Sequence, residues 1–196
     1  MKVIGITGGV GAGKSKVLAY IKNKYNCKII MSDNVANDLK KKGMPCYKPV
    51  LDLLGKQILG DDGEIDKKKM AAVIFADKEK IEKINGIMHP AVNSYIISLI
   101  DEEKKANLID YLFIEAALLI ENGYDKIVDE LWYIYAQESV RRARLKDTRG
   151  YSDEKIDSIL KNQLSDDEFR KYCKVVIDNS AEIEETYRQI DKELGD

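Results

Sequence analysis

Residues 2–15 read Lys2-Val3-Ile4-Gly5-Ile6-Thr7-Gly8-Gly9-Val10-Gly11-Ala12-Gly13-Lys14-Ser15. Lys2 to Thr7 is a short apolar run suited to a buried strand, and the last eight residues fit the spacing G-x-x-x-x-G-K-[ST]. Behind them, Lys14 to Tyr25 carries Val17, Leu18 and Ile21 at helical spacing, so the order is strand, glycine-rich loop, helix. Glycines let the backbone curl until successive N–H groups aim at phosphate oxygens, and the helix start adds partial positive charge. Lys14 then reaches the terminal phosphates and the Ser15 hydroxyl can ligate magnesium. Chance alone places this four-position pattern in roughly one chain of this length per hundred, before the flanking strand and helix are required.

Outward from that loop, 196 residues suffice for one α/β domain with insertions. A net charge of -2 with 34% charged residues gives no basic excess, and nucleic acid is not an expected partner. Cys27, Cys46 and Cys173 are far apart and lack C-x-x-C spacing, so reduced thiols are expected, and the single histidine, His89, cannot complete a zinc cluster with them. The apolar stretches Tyr111–Ile120 and Leu131–Ala136 are shorter than the ~18–20 residues of a membrane helix. With a glycine-rich loop where a signal-peptide core would lie, the expected location is the cytoplasm, with no membrane and no obligate protein partner.

Strand-like apolar runs recur at Val3–Thr7, Lys28–Met31, Asp110–Glu115, Leu131–Tyr135 and Lys174–Asp178, with helical patterns between them. That alternation predicts an α/β fold with a doubly wound, five-stranded parallel sheet. Residues 43–105 contain no strand pattern and read as a helical insertion, with Gly60-Asp61-Asp62-Gly63 as a turn and Pro90 opening a helix. Its apolar positions are Val50, Leu53, Leu54, Met70, Val73, Ile74 and Phe75, then Ile81, Ile84, Met88, Val92, Tyr95, Ile96 and Leu99. Residues 137–172 form a charged second insertion whose two helical halves meet at Gly150. Ser152 begins one helix, and Ser165 with Glu168 fits a capping box. This stretch carries Arg141, Arg142, Arg144, Arg149 and Arg170, and reads either as a solvated helical pair or as a lid closing arginines over phosphates.

In open parallel sheets ligands bind outside the carboxyl ends of the strands. Asp33 stands two residues past the second strand and Glu115 ends the third. Phosphoryl transfer needs an acceptor hydroxyl held in line, a group to receive its proton and cations to offset charge. Asp33 is the candidate for that proton, with capping of a helix over Asn34–Lys41 as its plainer role. Glu115 ends Tyr111-Leu112-Phe113-Ile114 as the acid of a Walker B element does, or is a simple strand-end acid. Histidine is the residue type suited to general-base work near neutral pH, but the place of His89 before Pro90 suits a structural histidine equally well.

Further stretches complete a chain-wide pattern: Met31-Ser32-Asp33, Gly43-Met44-Pro45 with Tyr47, Leu54-Gly55 before Ile58-Leu59, Asp62-Gly63-Glu64-Ile65-Asp66, Ile74-Phe75, and Ile87-Met88-His89-Pro90. Leu118-Leu119-Ile120-Glu121, Arg144-Leu145, Gln163 with Ser165, and Val176-Ile177-Asp178-Asn179 follow in order. In this the chain resembles the dephospho-coenzyme A kinases, P-loop enzymes that phosphorylate the 3′-hydroxyl of dephospho-coenzyme A in the last step of coenzyme A synthesis. The resemblance implies ATP and magnesium, with Gly9, Gly11, Ala12, Gly13, Lys14, Ser15, Lys16 and Asn179 around the nucleotide. It implies Asp33, Lys14 and Arg144 as catalytic residues and Asp33, Tyr47, His89, Glu115, Arg141 and Arg149 around the acceptor. Ser15 would hold magnesium, with Glu115 a second candidate. Residues 43–105 would be the coenzyme A-binding part and 137–172 the lid. The chain departs from the family pattern at Met31 and Asn37, where aspartate and arginine are usual, at Ala117, usually proline, and at Lys16, usually a hydroxyl residue. The second lid arginine usually falls where Thr148 stands.

The alternatives are another small-metabolite, nucleoside or nucleotide kinase of similar fold, or a GTP-binding switch. The switch lacks its guanine-reading N-K-x-D, because Asn23-Lys24-Tyr25-Asn26 has the wrong last residue.

Overall fold

The computed structural model describes residues 1–75, 77–116 and 118–195, and for Phe75 and Lys78 the backbone alone. The departure at Ala117 and the side chain of Phe75 therefore lie outside the described residues. Two compact units emerge, one of residues 1–29 and 107–196, the other Ile30–Ala106. The second takes in the segment after the second strand as well as the insertion read from residue 43.

The five expected strands are present as β1 (Lys2–Thr7), β2 (Cys27–Met31), β3 (Tyr111–Glu115), β4 (Glu130–Tyr135) and β5 (Val175–Asp178). Their order is β2-β3-β1-β4-β5, and β1 pairs in parallel with both β3 and β4, which in turn pairs in parallel with β5. The register sets Ile4 beside Phe113 and Ile6 beside both Glu115 and Trp132. Val3, Ile4, Ile6, Leu112, Phe113, Ile114 and Trp132 are all fully buried. A strand covered on both faces has no solvent side, which is why these runs read as unbroken apolar stretches.

Helix α1 (Lys14–Lys24) follows the loop and buries Val17, Leu18 and Ile21 as the spacing predicts. The last helix of the first unit, Ile183–Leu194, packs on α1, where the Tyr20 and Tyr187 rings stack at 3.8 Å. Asp191 accepts from the hydroxyls of Tyr20 and Tyr25 there.

In the second unit, α2 (Ser32–Asp38), α3 (Tyr47–Leu54) and α4 (Lys67–Phe75) each pack against the long α5 (Lys78–Ala106). Pro90 does not open a helix; it lies inside α5. A proline there removes one backbone N–H and crowds the carbonyl four residues back, at a cost of about 3 kcal/mol. The carbonyl is that of Gly86, whose missing side chain leaves open space. The buried stripe Ile84, Met88, Val92, Ile96 and Ile100 runs unbroken past the proline, and that burial outweighs the lost bond. Tyr95, on the expected apolar face, is 39% exposed.

The charged insertion holds three described helices rather than two halves: α6 (Glu138–Arg149), α7 (Asp153–Lys161) and α8 (Asp166–Tyr172). Gly150 ends α6 at φ 62, and Ser152 caps α7 through the N–H of Lys155. The complete capping box of Ser165 and Glu168 starts α8, breaking what the sequence presents as one helical half. The carboxyl-terminal helix is α9 (Ile183–Leu194).

Candidate active site

Between β1 and α1 the loop is fixed by groups from far along the chain. The Asn179 carboxamide, 1% exposed, donates to the Ala12 carbonyl at 2.7 Å and accepts from the Thr186 hydroxyl at 3.1 Å. The Arg144 guanidinium donates to the Asn179 carbonyl at 2.9 Å and reaches the Ala12 carbonyl at 3.4 Å. Gly13 has φ 92, and a side-chain carbon on it would stand 2.2 Å from the Asn179 amide nitrogen. Only glycine accepts both that backbone angle and that neighbour.

At the other end of the loop, Arg141 is buried to 8% exposure. Its Nε donates to the Val10 carbonyl at 3.0 Å and its Nη2 to the Gln163 Oε1 at 2.8 Å, while the same oxygen accepts from the Val10 N–H at 3.2 Å. A carbon added to Gly9 would meet this guanidinium at 2.2 Å. Lys14 turns its ammonium onto the Gly8 carbonyl at 2.7 Å, and Glu115, at the end of β3, stands 3.9 Å from it. The hydroxyl of Thr7, the last residue of β1, is buried with no hydrogen-bond partner among the described residues. A hydroxyl so placed costs about 1–3 kcal/mol, a burden that structures tolerate at functional sites.

The structure thus brings Gly9, Gly11, Ala12, Gly13, Lys14, Glu115, Arg141, Arg144 and Asn179 together around one loop. Ser15 and Lys16 are exposed in the first turn of α1, where the Lys16 N–H bonds the Gly13 carbonyl. Arg149 is not drawn to the loop; it is exposed and lies over the Tyr151 ring at 5.9 Å. Arg142 is held by Glu138 and Asp157. The pinning roles of Gln163 and Thr186 escape a reading of the residues one by one, because each works through a partner more than a hundred positions away or through a side chain it meets only in the fold.

In the second unit, Asp33 is exposed in the first turn of α2, one residue inside the helix. It is not the cap: that position is Met31, which makes no side-chain bond. The carboxylate there complements the helix dipole and remains open to a ligand. A cavity of about 990 Å³ in this unit is bordered by Lys40, Lys41 and Lys67, with Met70, Ala71 and Ile74 as its apolar side. Burial, with Lys67 adding to it, pulls the Lys40 ammonium below the usual lysine range, and Asp33 partly opposes them. Tyr47 and His89 do not line this cavity. Tyr47 donates to the Gly63 carbonyl at 2.5 Å, tying α3 to the Gly60–Gly63 turn, and His89 is half-buried in the middle of α5.

For magnesium, the nearby donors are hard oxygens, the Ser15 hydroxyl and the Glu115 carboxylate, and they fit an ion that keeps waters and takes one or two carboxylates plus substrate phosphates. Among the described residues no cluster of three or more His, Cys, Asp or Glu side chains forms a closed cage. No described helix is long and apolar enough to cross a membrane.

Comparison with known proteins gives the family and the fold. The family model for dephospho-CoA kinase matches residues 2–185. The dephospho-CoA kinase of Aquifex aeolicus is 40% identical over 194 residues, covering 98% of this chain and 95% of the relative. That of Carboxydothermus hydrogenoformans is 36% identical over 190 residues, covering 97% and 91%. Among solved structures, a Thermus thermophilus protein superposes with a TM-score of 0.79 at 25% identity, covering 98% of this chain and 96% of that one. Shikimate kinase from Acinetobacter baumannii, at 12% identity and a TM-score of 0.53 over 99% and 93% of the chains, shares the fold. A phosphate loop on a five-stranded parallel sheet, matched nearly end to end by these relatives, leads to one conclusion: the chain belongs to the dephospho-CoA kinase family, phosphotransferases of the last step of coenzyme A biosynthesis.

Proposed function

We propose that this chain transfers the γ-phosphate of ATP to the 3′-hydroxyl of dephospho-coenzyme A, with Asp33 receiving the hydroxyl proton. The observation that supports the choice of acceptor is the cavity of the second unit, where Lys40 and Lys67 stand beside an apolar wall while Lys41 is paired with Asp38, with Glu64 also in the lining. A diphosphate suits the lysines and an elongated, largely apolar arm suits the wall.

The acceptor oxygen attacks the γ-phosphorus in line as the bond from that phosphorus to the β–γ bridging oxygen breaks. Lys14 leaves the Gly8 carbonyl for the β- and γ-phosphates and follows the developing charge. The loop N–H groups hold the β-phosphate as it becomes the leaving group. Arg144, bonded at Ala12 and Asn179, holds the nucleoside end of ATP, whereas Arg141 keeps the first half of the loop in shape. Magnesium, when bound, offsets phosphate charge, and Ser15 and Glu115 are the residues that would hold it. The three free cysteines suit a reducing cytoplasm, and the reaction needs small molecules alone, without a protein or nucleic-acid partner. The test is direct: the purified protein with ATP, magnesium and dephospho-coenzyme A yields coenzyme A by mass, and phosphorylation of another small alcohol in its place overturns the assignment.

A further inference from the structure

The side chain of Gln163, in the turn between α7 and α8, lies against the first half of the phosphate loop. Its Oε1 accepts from the Val10 N–H at 3.2 Å and from Nη2 of Arg141 at 2.8 Å. Both partners are donors, so only the carboxamide oxygen can face them. The Nε2 branch of the same flat group is therefore turned away from Val10 and Arg141. Among the described residues it has no hydrogen-bond partner, and the side chain is half-buried rather than sealed.

What the two Nε2 hydrogens meet depends on the end of the loop they occupy. Gln163 and Gly8 border one cavity of about 320 Å³ within the first unit. The Lys14 ammonium, which serves the β- and γ-phosphates in loops of this spacing, reaches the Gly8 carbonyl. Asn179 and Arg144 hold the opposite end, at Ala12. Glu121, the carboxylate in the lining, is exposed, so water screens its charge. A free donor beside Gly8 thus stands at the terminal phosphate, not at the base.

The bond from Arg141 strengthens that donor. Arg141 is buried, with Nε spent on the Val10 carbonyl and Nη2 on Gln163. A cation bonded to the carboxamide oxygen draws electron density toward it and leaves the Nε2 hydrogens more positive, as linked hydrogen bonds polarise one another. A phosphoryl group in transfer spreads negative charge over three oxygens, and such a donor suits one of them. Bracing the loop is the plainer role of Gln163, but the oxygen alone performs it.

We propose that Gln163 contacts the transferred group directly: its Nε2 donates to a non-bridging oxygen of the γ-phosphate of ATP, with Arg141 polarising it from behind. The inference rests on ATP as phosphoryl donor, and no acceptor enters its test, so it stands or falls apart from the assignment of dephospho-coenzyme A. Amide NMR spectra of the wild type with magnesium compare the ADP complex with that of the imido analogue of ATP, which keeps the γ-phosphate. The Gln163 amide pair, assigned through bonds to its own backbone, should shift and exchange more slowly with water only in the imido complex. A pair that is the same in both complexes overturns the proposal, and this comparison needs no variant. Gln163→Glu keeps the oxygen that Val10 and Arg141 hold and puts an acceptor where the donor stood. Calorimetry should find ADP affinity within about twofold of wild type and imido-analogue affinity lower by about 10–100-fold, the loss of one hydrogen bond to a charged group. Equal changes for the two nucleotides would leave Gln163 a brace and overturn the proposal. A wild type that binds neither nucleotide would refute the nucleotide reading of the loop and the proposal with it.

Discussion

Replacing Asn179 by alanine removes the carboxamide that joins the loop after β5 to the phosphate loop. Two bonds go, the donor to Ala12 at 2.7 Å and the acceptor from Thr186 at 3.1 Å. Neutral hydrogen bonds contribute about 1 kcal/mol each in net terms, so their sum is ~2 kcal/mol. The groups left behind do not add a full desolvation cost. Thr186 keeps the Asp178 carbonyl at 3.2 Å, and the Ala12 carbonyl keeps Arg144 at 3.4 Å. For a chain of 196 residues the unfolding entropy is about 0.4 kcal/mol/K, so Asn179→Ala should lower Tm by about 5 °C. ATP affinity should fall by about threefold to tenfold, because binding must now order a loop that was held in advance. Thr186→Val, which loses the hydroxyl shared between the Asn179 carboxamide and the Asp178 carbonyl, should cost about as much, and the double variant less than the sum of the two. Differential scanning calorimetry and titration calorimetry with ATP read both effects. A Tm within about 1 °C of wild type refutes the energetic argument, and unchanged ATP affinity in a destabilised variant refutes the view that Asn179 preorganises the loop.

Lys14→Ala should cut turnover by about 10²-fold or more in a protein that stays folded, and near-normal kcat would place catalysis elsewhere. Asp33→Asn should lower kcat by about 10²–10⁴-fold while calorimetry shows ATP binding intact; concurrent loss of ATP affinity would point away from base catalysis. Pro90→Ala restores an N–H for the Gly86 carbonyl and should stabilise the protein by about 1–3 kcal/mol in denaturant titration, whereas a destabilised variant would mean the helix needs its proline. Burial pushes the Cys173 thiol up to about 12, above its unfolded value, so the unfolded chain loses that proton first and stability declines as pH climbs through the window between the two. In Cys173→Ala the fall of Tm between about pH 8 and 10 should be shallower, and parallel curves would contradict the assignment.

The central strands β1, β3 and β4 were legible because both their faces are buried and their residues admit no polar alternation. The phosphate loop was legible because its chemistry is local. Asp33 could be placed near a strand end, but whether it capped the helix depended on backbone angles at Met31 that no residue type declares. Pro90 misled because proline reads as punctuation, and only the buried stripe from Ile84 to Ile100 shows that packing overrode it. The arginines of the charged insertion were alike as sequence. Arg141 is buried on the loop while Arg149 faces solvent, a difference set by α6 presenting one side to Val10. The break between α7 and α8 was announced by Ser165 and Glu168 but concealed by the uniform charge around it.

The pins on the phosphate loop come from Arg141, Gln163 and Asn179, which stand 131, 153 and 167 positions from the groups they hold. β1 itself lies between β3 and β4, strands that follow it by more than a hundred residues. During synthesis, therefore, the phosphate loop leaves the ribosome more than a hundred residues ahead of the groups that hold its shape. Until β5 and α9 have emerged the loop is without its Asn179 pin, so a chain stopped before Asn179 would carry the motif without the bond that fixes Ala12.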